Sequence, residues 1–333
     1  MTSGRGTCSC PRQFCDASEG TTMQSQPRKP SHESSSKSAT VDCIGWAHVV
    51  VASGDDRCDP MPYLRVKKMR KYMGKQDDLA VVAACRAMQV AALEDDIAPD
   101  RIGLYAAVGY IPFEEHDLNR LADAAELDGK FSMQRLSTTG FHAVNGLMTF
   151  RCLPNMPAFH ISINLQIHGP SVVTYPGTGQ FYVVLQQACD ALEDGDIEIA
   201  VVMGVADQRN FLVRNHFERM PHPAGDDVVD AAGCLILQRV KQATPTDRKR
   251  MTIGELMIDY EPFDPFVRPL PPSEKITCSG STLDDAGQWM GAAALPVHLS
   301  KAMLRHDGQG SVDFRHHVTT GDGITASSRW ELW

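Results

Sequence analysis

Continuous apolar runs alternate with helically spaced apolar stripes along this chain. Val41 to Val51 is apolar almost throughout, which predicts a buried strand. From Asp77 to Leu93 the spacing changes. Leu79, Val82, Ala83, Ala87, Val90 and Leu93 recur at three- and four-residue intervals and predict one buried helix face, with Asp77 and Asp78 suited to the first turn. Pro99-Asp100 marks a turn, and Ile102 to Val108 a second apolar strand ended by Gly109. A strand, a helix and a strand in this order predict a parallel α/β layer.

The middle of the chain repeats the pattern. Ser171 to Tyr175 reads as a strand, Pro176-Gly177-Thr178-Gly179 as a tight turn, and Gln180 to Glu193 as a helix. Its inner stripe is Phe181, Val184, Leu185, Ala188 and Leu192. Gly195-Asp196 ends the helix, and Ile197 to Met203 is a strand closed by Gly204, which completes a βαβ unit. Ala231 to Val240 supplies another strand. After a polar linker from Thr244 to Arg250, Ile253 to Tyr260 is strand-like and the proline-rich Phe263 to Ser273 is a loop. Gly287 to Leu304 predicts a small-residue helix interrupted or bent at Pro296. Ser311 to Thr319 and Ile324 to Leu332 predict two closing strands. The expected organisation is a tail over 1–40, an α/β half over 41–245 and a much shorter second half over 246–333.

Composition narrows the function. The 333 residues carry 32 Lys and Arg against 41 Asp and Glu, a net charge of −9, which argues against binding bulk nucleic acid or an anionic membrane. No apolar run is long enough to span a bilayer. The first 40 residues are rich in Ser, Thr, Gly and Pro and lack the order of a secretory signal, so they are expected to form a disordered tail. The ten cysteines form no C-x₂-C pair and sit mostly in apolar segments. That predicts a cytoplasmic protein without metal, disulfide framework or cofactor, its thiols acting as small hydrophobes. His316-His317 is expected at the surface, and His142, His160 and His168 in core or turn positions. Asp226-Asp227 and Asp284-Asp285 read as solvated loop charges or caps. No G-x-G-x-x-G is present, so a dinucleotide site has no support.

The strand–turn–helix from Ser171 to Glu193 is where chemistry is best placed. A residue at the tip of such a turn meets unpaired helix N–H groups, which stabilise an anion. A cysteine there would be activated. Here the tip is Gly177-Thr178-Gly179-Gln180, and a threonine hydroxyl needs an adjacent base that the sequence does not identify. The glycines alone are also explained by a tight turn.

Several motifs carry a family resemblance. Arg151-Cys-Leu-Pro-Asn-Met-Pro-Ala-Phe-His-Ile-Ser-Ile with His168-Gly-Pro-Ser171 resembles the segment that leads to the nucleophile of β-ketoacyl synthases. Gly195-Asp196, Val202-Met-Gly-Val-Ala206 and Asp230-Ala-Ala-Gly-Cys-Leu-Ile-Leu237 resemble the family's next Gly-Asp turn, glycine-rich strand end and strand. Gly287-Gln-Trp-Met-Gly-Ala-Ala-Ala294 resembles the G-H-x-x-G-A-A-G helix start. Gly321-Asp322-Gly323 is similar to the family's C-terminal glycine-rich loop. The resemblance implies an α/β thiolase-like layered fold of two similar halves, the second truncated here. It also implies dimerisation through the first half. That family condenses acyl chains with a Cys and two His. Counted from either side, the Cys position falls on Thr178, and one His position falls on Gln288. The H-G-T-x-T segment that carries the other His is not found between Tyr260 and Gly287.

With no catalytic identity kept, the resemblance implies a chain-length-factor-like subunit. Such a chain pairs with an active β-ketoacyl synthase, meets acyl carrier protein through that complex and shapes the acyl tunnel. Val173-Thr-Tyr-Pro-Gly-Thr-Gly-Gln-Phe-Tyr182 resembles the aryl-polyene type most, although many such partners carry Gln where Thr178 stands, and here Gln180 is two residues on. Phe159, Gln180, Phe181 and Tyr182 are the expected tunnel or interface residues, a pure core role being the alternative. Two other readings stay open. One is a thiolase-fold acyltransferase or hydrolase using Thr178, Cys152 or Cys189, the last expected to be inert. The other is a decayed synthase remnant without a stable fold.

Overall fold

The chain is described by a computed structural model over residues 41–51, 58–93, 97–110, 113, 115–219, 228–240, 249–261, 273–279, 281–282, 288–321 and 323–333. The expectations for the 1–40 tail, most of the linker and the proline-rich loop, Asp226-Asp227, Asp284-Asp285 and Asp322 lie outside the described residues.

In chain order the first elements are β1 (Val41–Val51), α1 (Lys75–Ala91) and β2 (Ile102–Val108). A segment of short pieces comes next: α2 (Glu115–Ala125), the two-residue strands β3 (Glu126–Leu127) and β4 (Lys130–Phe131), α3 (Met133–Arg135), α4 (Phe141–Ala143) and α5 (Met148–Arg151). Then come α6 (Met156–Leu165), β5 (Ser171–Thr174), α7 (Gln180–Asp194), β6 (Ile199–Ala206), α8 (Phe211–Arg219) and β7 (Asp230–Arg239). The rest is β8 (Met251–Tyr260), β9 (Ser273–Cys278), β10 (Ser281–Thr282), α9 (Ala294–Arg305), β11 (Val312–Thr319) and β12 (Ile324–Leu332).

Ten strands form one mixed sheet in the order β10-β9-β11-β12-β8-β1-β7-β6-β2-β5. β5, β2 and β6 run parallel, as the apolar runs joined by helices require, and β7 runs antiparallel between β6 and β1. The layered α/β fold expected from the sequence is present, built on one continuous sheet. Residues beyond 250 join the sheet through the β1–β8 edge, with β8, β12, β11 and β9 all antiparallel to their neighbours.

Side chains from alternate strand positions enter two cores. Leu104, Ala106, Ile199, Val201 and Met203 pack with α1 and α6, while Tyr105, Ala107, Ala200 and Val202 pack with α7, α9 and the C-terminal strands. Residues 76–85 of α1 are buried on every side, whereas Val90 is exposed, so the predicted single stripe is a helix embedded at its N-terminal end. Gly204 does not close β6 but lies inside it. A Cβ there would stand 2.1 Å from the Ala292 carbonyl oxygen, so only glycine admits that backbone. α9 starts at Ala294, which puts Pro296 in its first turn, where a missing N–H costs no helical hydrogen bond. The predicted interruption at Pro296 is therefore a helix start. Among the described residues no helix is long and apolar enough to cross a membrane.

Candidate functional site

β5 delivers the chain to the sheet edge where β2 and β6 also end, and the turn to α7 forms the tip. Gly177 adopts φ +117°, a left-handed conformation that favours glycine. Thr178 is next, at 5% exposure. The turn is closed by bonds from the N–H of Gln180 to Gly177 O (3.3 Å) and of Phe181 to Thr178 O (3.3 Å). The Thr174 hydroxyl donates to the Gln180 carbonyl at 3.1 Å. Gly179 is pressed on the C-terminal hairpin: a Cβ would lie 2.7 Å from Ile324. The tip is thereby tied to β12, at the far end of the chain. No hydrogen bond joins the Thr178 hydroxyl to a His, Asp or Glu among the described residues.

The remaining candidates scatter. Gln288 is half-buried beside Trp289, whose segment pairs with Val228, and makes no hydrogen bond to Thr178. Phe181 and Tyr182 are fully buried in the α7 core, Gln180 is half-buried, and Phe159 is 43% exposed on α6. Burial pushes the Cys189 thiol up to about 12, which keeps it protonated and unreactive at neutral pH. Cys152 is half-buried at the end of α5.

A polar cluster that sequence reasoning missed lies one helical turn below the tip. The Tyr182 phenol sits 2.5 Å from His316 Nδ1, and the His316 Nε2 sits 2.6 Å from Glu274 Oε1. His298, on α9, approaches the same carboxylate at 3.6 Å. All four side chains are buried. Burial works against the ionised Glu274 carboxyl, but the His316 hydrogen bond and the imidazole charges of His316 and His298 outweigh it and hold its pKa low. The surface expectation for His316 is thus wrong and that for His317 right. The signal was present: Phe314, His316 and Val318 alternate on one face of β11. His160 is also buried, with both ring nitrogens unpartnered, and burial drives its pKa down to about 4. His142 and His168 are exposed.

Comparison with known proteins adds the family. A profile described as "Beta-ketoacyl synthase, N-terminal domain" matches residues 18–227. No curated protein sequence matches the chain at a significant level. Among solved structures, AntDE:AntF (apo), a type II PKS acyl-carrier protein in complex with its ketosynthase bound to the hexaketide, has TM-score 0.63 and 11% identity, over 88% of this chain and 99% of that one. An oxazolomycin ketosynthase domain from Streptomyces albus JA3453 also has TM-score 0.63 and 11% identity, over 88% and 74%. The ketosynthase from module 1 of the bacillaene synthase of Bacillus amyloliquefaciens FZB42 has TM-score 0.55 and 11% identity, over 88% and 76%. At such identities the likeness is one of fold.

Proposed function

The chain belongs to the β-ketoacyl synthase family through that N-terminal domain, and from this premise we propose that it is a non-condensing, chain-length-factor-like subunit. It pairs with an active β-ketoacyl synthase and helps to shape the channel for the growing acyl chain. The observation that carries the reading is Thr178, buried at the strand–helix tip with no hydrogen bond to a His, Asp or Glu among the described residues, at the position that the family resemblance gives to the nucleophilic Cys. A subunit so built contributes surface and volume rather than bond formation.

Two surfaces support a partner. β5 is a terminal strand of the sheet, with Ser171 exposed and Val172 to Thr174 half-buried, and an uncovered edge of this kind invites pairing with another strand. From the end of α2 into α6 the chain exposes Leu127, Phe131, Met133, Phe141, Phe150 and Phe159, apolar side chains of the kind that mark interaction surfaces. Phe159 suits an interface role, and Phe181 and Tyr182 support the tip from below. In a channel, each further buried methylene gains about 0.8 kcal/mol until the end wall, where overpacking costs about 1–3 kcal/mol. The carrier protein in the AntDE:AntF structure is the chemical kind of partner such a complex meets.

The test is co-expression with any intact ketosynthase encoded beside this chain's gene. The expected result is co-purification near equal stoichiometry, with malonyl-dependent elongation only in the complex. Elongation by this chain alone, or a monomer indifferent to every ketosynthase offered, would overturn the reading.

A further inference from the structure

A cavity of about 400 Å³ opens at the sheet edge, lined by the end of β1, the first residues of α1 and the chain just beyond β6. β1 and β6 both run antiparallel to β7, so the cavity lies outside their carboxyl ends, where open α/β sheets receive ligands. Its size falls within the range of small-molecule sites.

The lining is amphiphilic. Met73, Phe113 and Phe211 contribute apolar surface, and five cations share the rest. Two of those cations are answered internally. Arg70 bonds Asp78 at 2.8 Å, and Lys75 Nζ sits 2.6 Å from Asp230 and 3.1 Å from Asp207. Arg209 is anchored as well, through its Nε to the Val228 carbonyl at 3.1 Å and its backbone N–H to Asp230 at 2.9 Å. Arg151 and Arg214 differ. Neither forms a close ion pair with a carboxylate among the described residues, Asp77 acting on Arg151 only as a nearby charge, and Glu115, the other carboxylate on the lining, bonds neither. Arg151 donates one guanidinium N–H to the Lys71 carbonyl at 3.2 Å, while its buried Nε finds no acceptor. Burying a guanidinium edge without an acceptor is costly, and an incoming anion would relieve it. The N-terminal end of the 17-residue α1 lies at the same place, but its partial positive charge is already met by Asp78 and by Asp77, which accepts from the Gly74 N–H at 2.7 Å, so the two arginines carry the site.

We propose that this cavity is a binding site for a small organic anion, a phosphoryl or carboxylate group on an apolar body. Arg151 and Arg214 contact the anionic group, and the aromatic side holds the apolar body. Lys75 with Asp207 and Asp230 forms the fixed polar floor. The site is separate from the Thr178 tip, and the inference does not depend on the pairing role.

Isothermal titration calorimetry on the full chain tests it, with phenyl phosphate, phenylacetate and the neutral phenylacetamide as probes. Both anions should bind, the amide at least about tenfold more weakly, and added salt should weaken the anions alone. Tighter phenyl phosphate assigns a phosphoryl ligand, and tighter phenylacetate a carboxylate. Arg151→Gln should weaken anion binding about tenfold. Arg214→Gln, at an exposed side chain that cannot unfold the core, should weaken it too, and the remote Arg329→Gln should not. Equal binding of the amide, no binding of either anion, or indifference to both Arg151→Gln and Arg214→Gln would overturn the proposal.

Discussion

The phenol of Tyr182, in the first turns of α7, lies 2.5 Å from Nδ1 of His316 on β11, with the two rings stacked at 5.9 Å. This contact fastens the helix that carries the tip to the strands beyond residue 250. Tyr182→Phe keeps the ring but leaves a buried imidazole nitrogen without its partner, a loss of about 1–3 kcal/mol. Urea denaturation of the purified chain should show a lower midpoint at unchanged slope. An unchanged midpoint would mean that the bond contributes nothing.

Glu274 gives the same cluster a pH signature. Its pKa is held below the usual glutamate value, so it contributes stability that is present above about pH 4.3 and lost as pH falls through the folded-state value. Denaturation midpoints measured down through that range should fall steeply for the native chain. Glu274→Gln should be less stable at neutral pH, where it breaks a buried charged contact, and its acid limb should be flatter.

The sequence revealed the fold better than it revealed this cluster. Strands such as Ile102–Val108 and the helix at Gln180 carry unbroken periodicity and fell where the pattern put them. The tip was legible too, because glycines flank Thr178 between a strand and a helix. His316 is buried against the surface expectation because it alternates with Phe314 and Val318 on one face of β11, a signal that weighing the pair only as ligand or surface overlooks. The cavity was not legible at all. It brings together Arg70, Arg151 and Arg209 from segments separated by dozens of residues, and no local spacing encodes such a meeting. Gly204 and Pro296 misled for a related reason: each marks a close approach or a first turn that only the packed neighbour, Ala292 or the start of α9, defines.

His160 makes a second, separable pH prediction. Its folded-state pKa of about 4 lies below the unfolded value, so the native state resists protonation. Stability is undiminished above about pH 6.5 and is lost as pH falls from there toward 4, by on the order of 2 kcal/mol. His160→Leu removes two unpartnered buried nitrogens and should raise the midpoint and flatten this window, leaving the Glu274 limb below it intact. Melting curves of both variants across the two windows check the assignment.

The reading of the tip makes the sharpest demand. If Thr178 only occupies the nucleophile's place, restoring sulfur there should not restore condensation. Thr178→Cys gains a thiol at a helix start, where its pKa should fall and slow labelling by iodoacetamide should be detectable despite the 5% exposure. Condensation in the family needs two histidines as well, and the position that the resemblance gives to one of them is Gln288, half-buried and without a hydrogen bond to Thr178. The H-G-T-x-T segment that would carry the other is not found between Tyr260 and Gly287. Thr178→Cys alone, and Thr178→Cys with Gln288→His, should therefore both fail to extend a thioester with malonyl extender, since the loss of a catalytic set is on the order of a millionfold and not recovered piecewise. A radiolabelled malonyl assay on the isolated variants reads this directly. Turnover by either variant without a partner synthase would mean that a base near Thr178 is already in place, and the subunit would have to be reassigned as an enzyme.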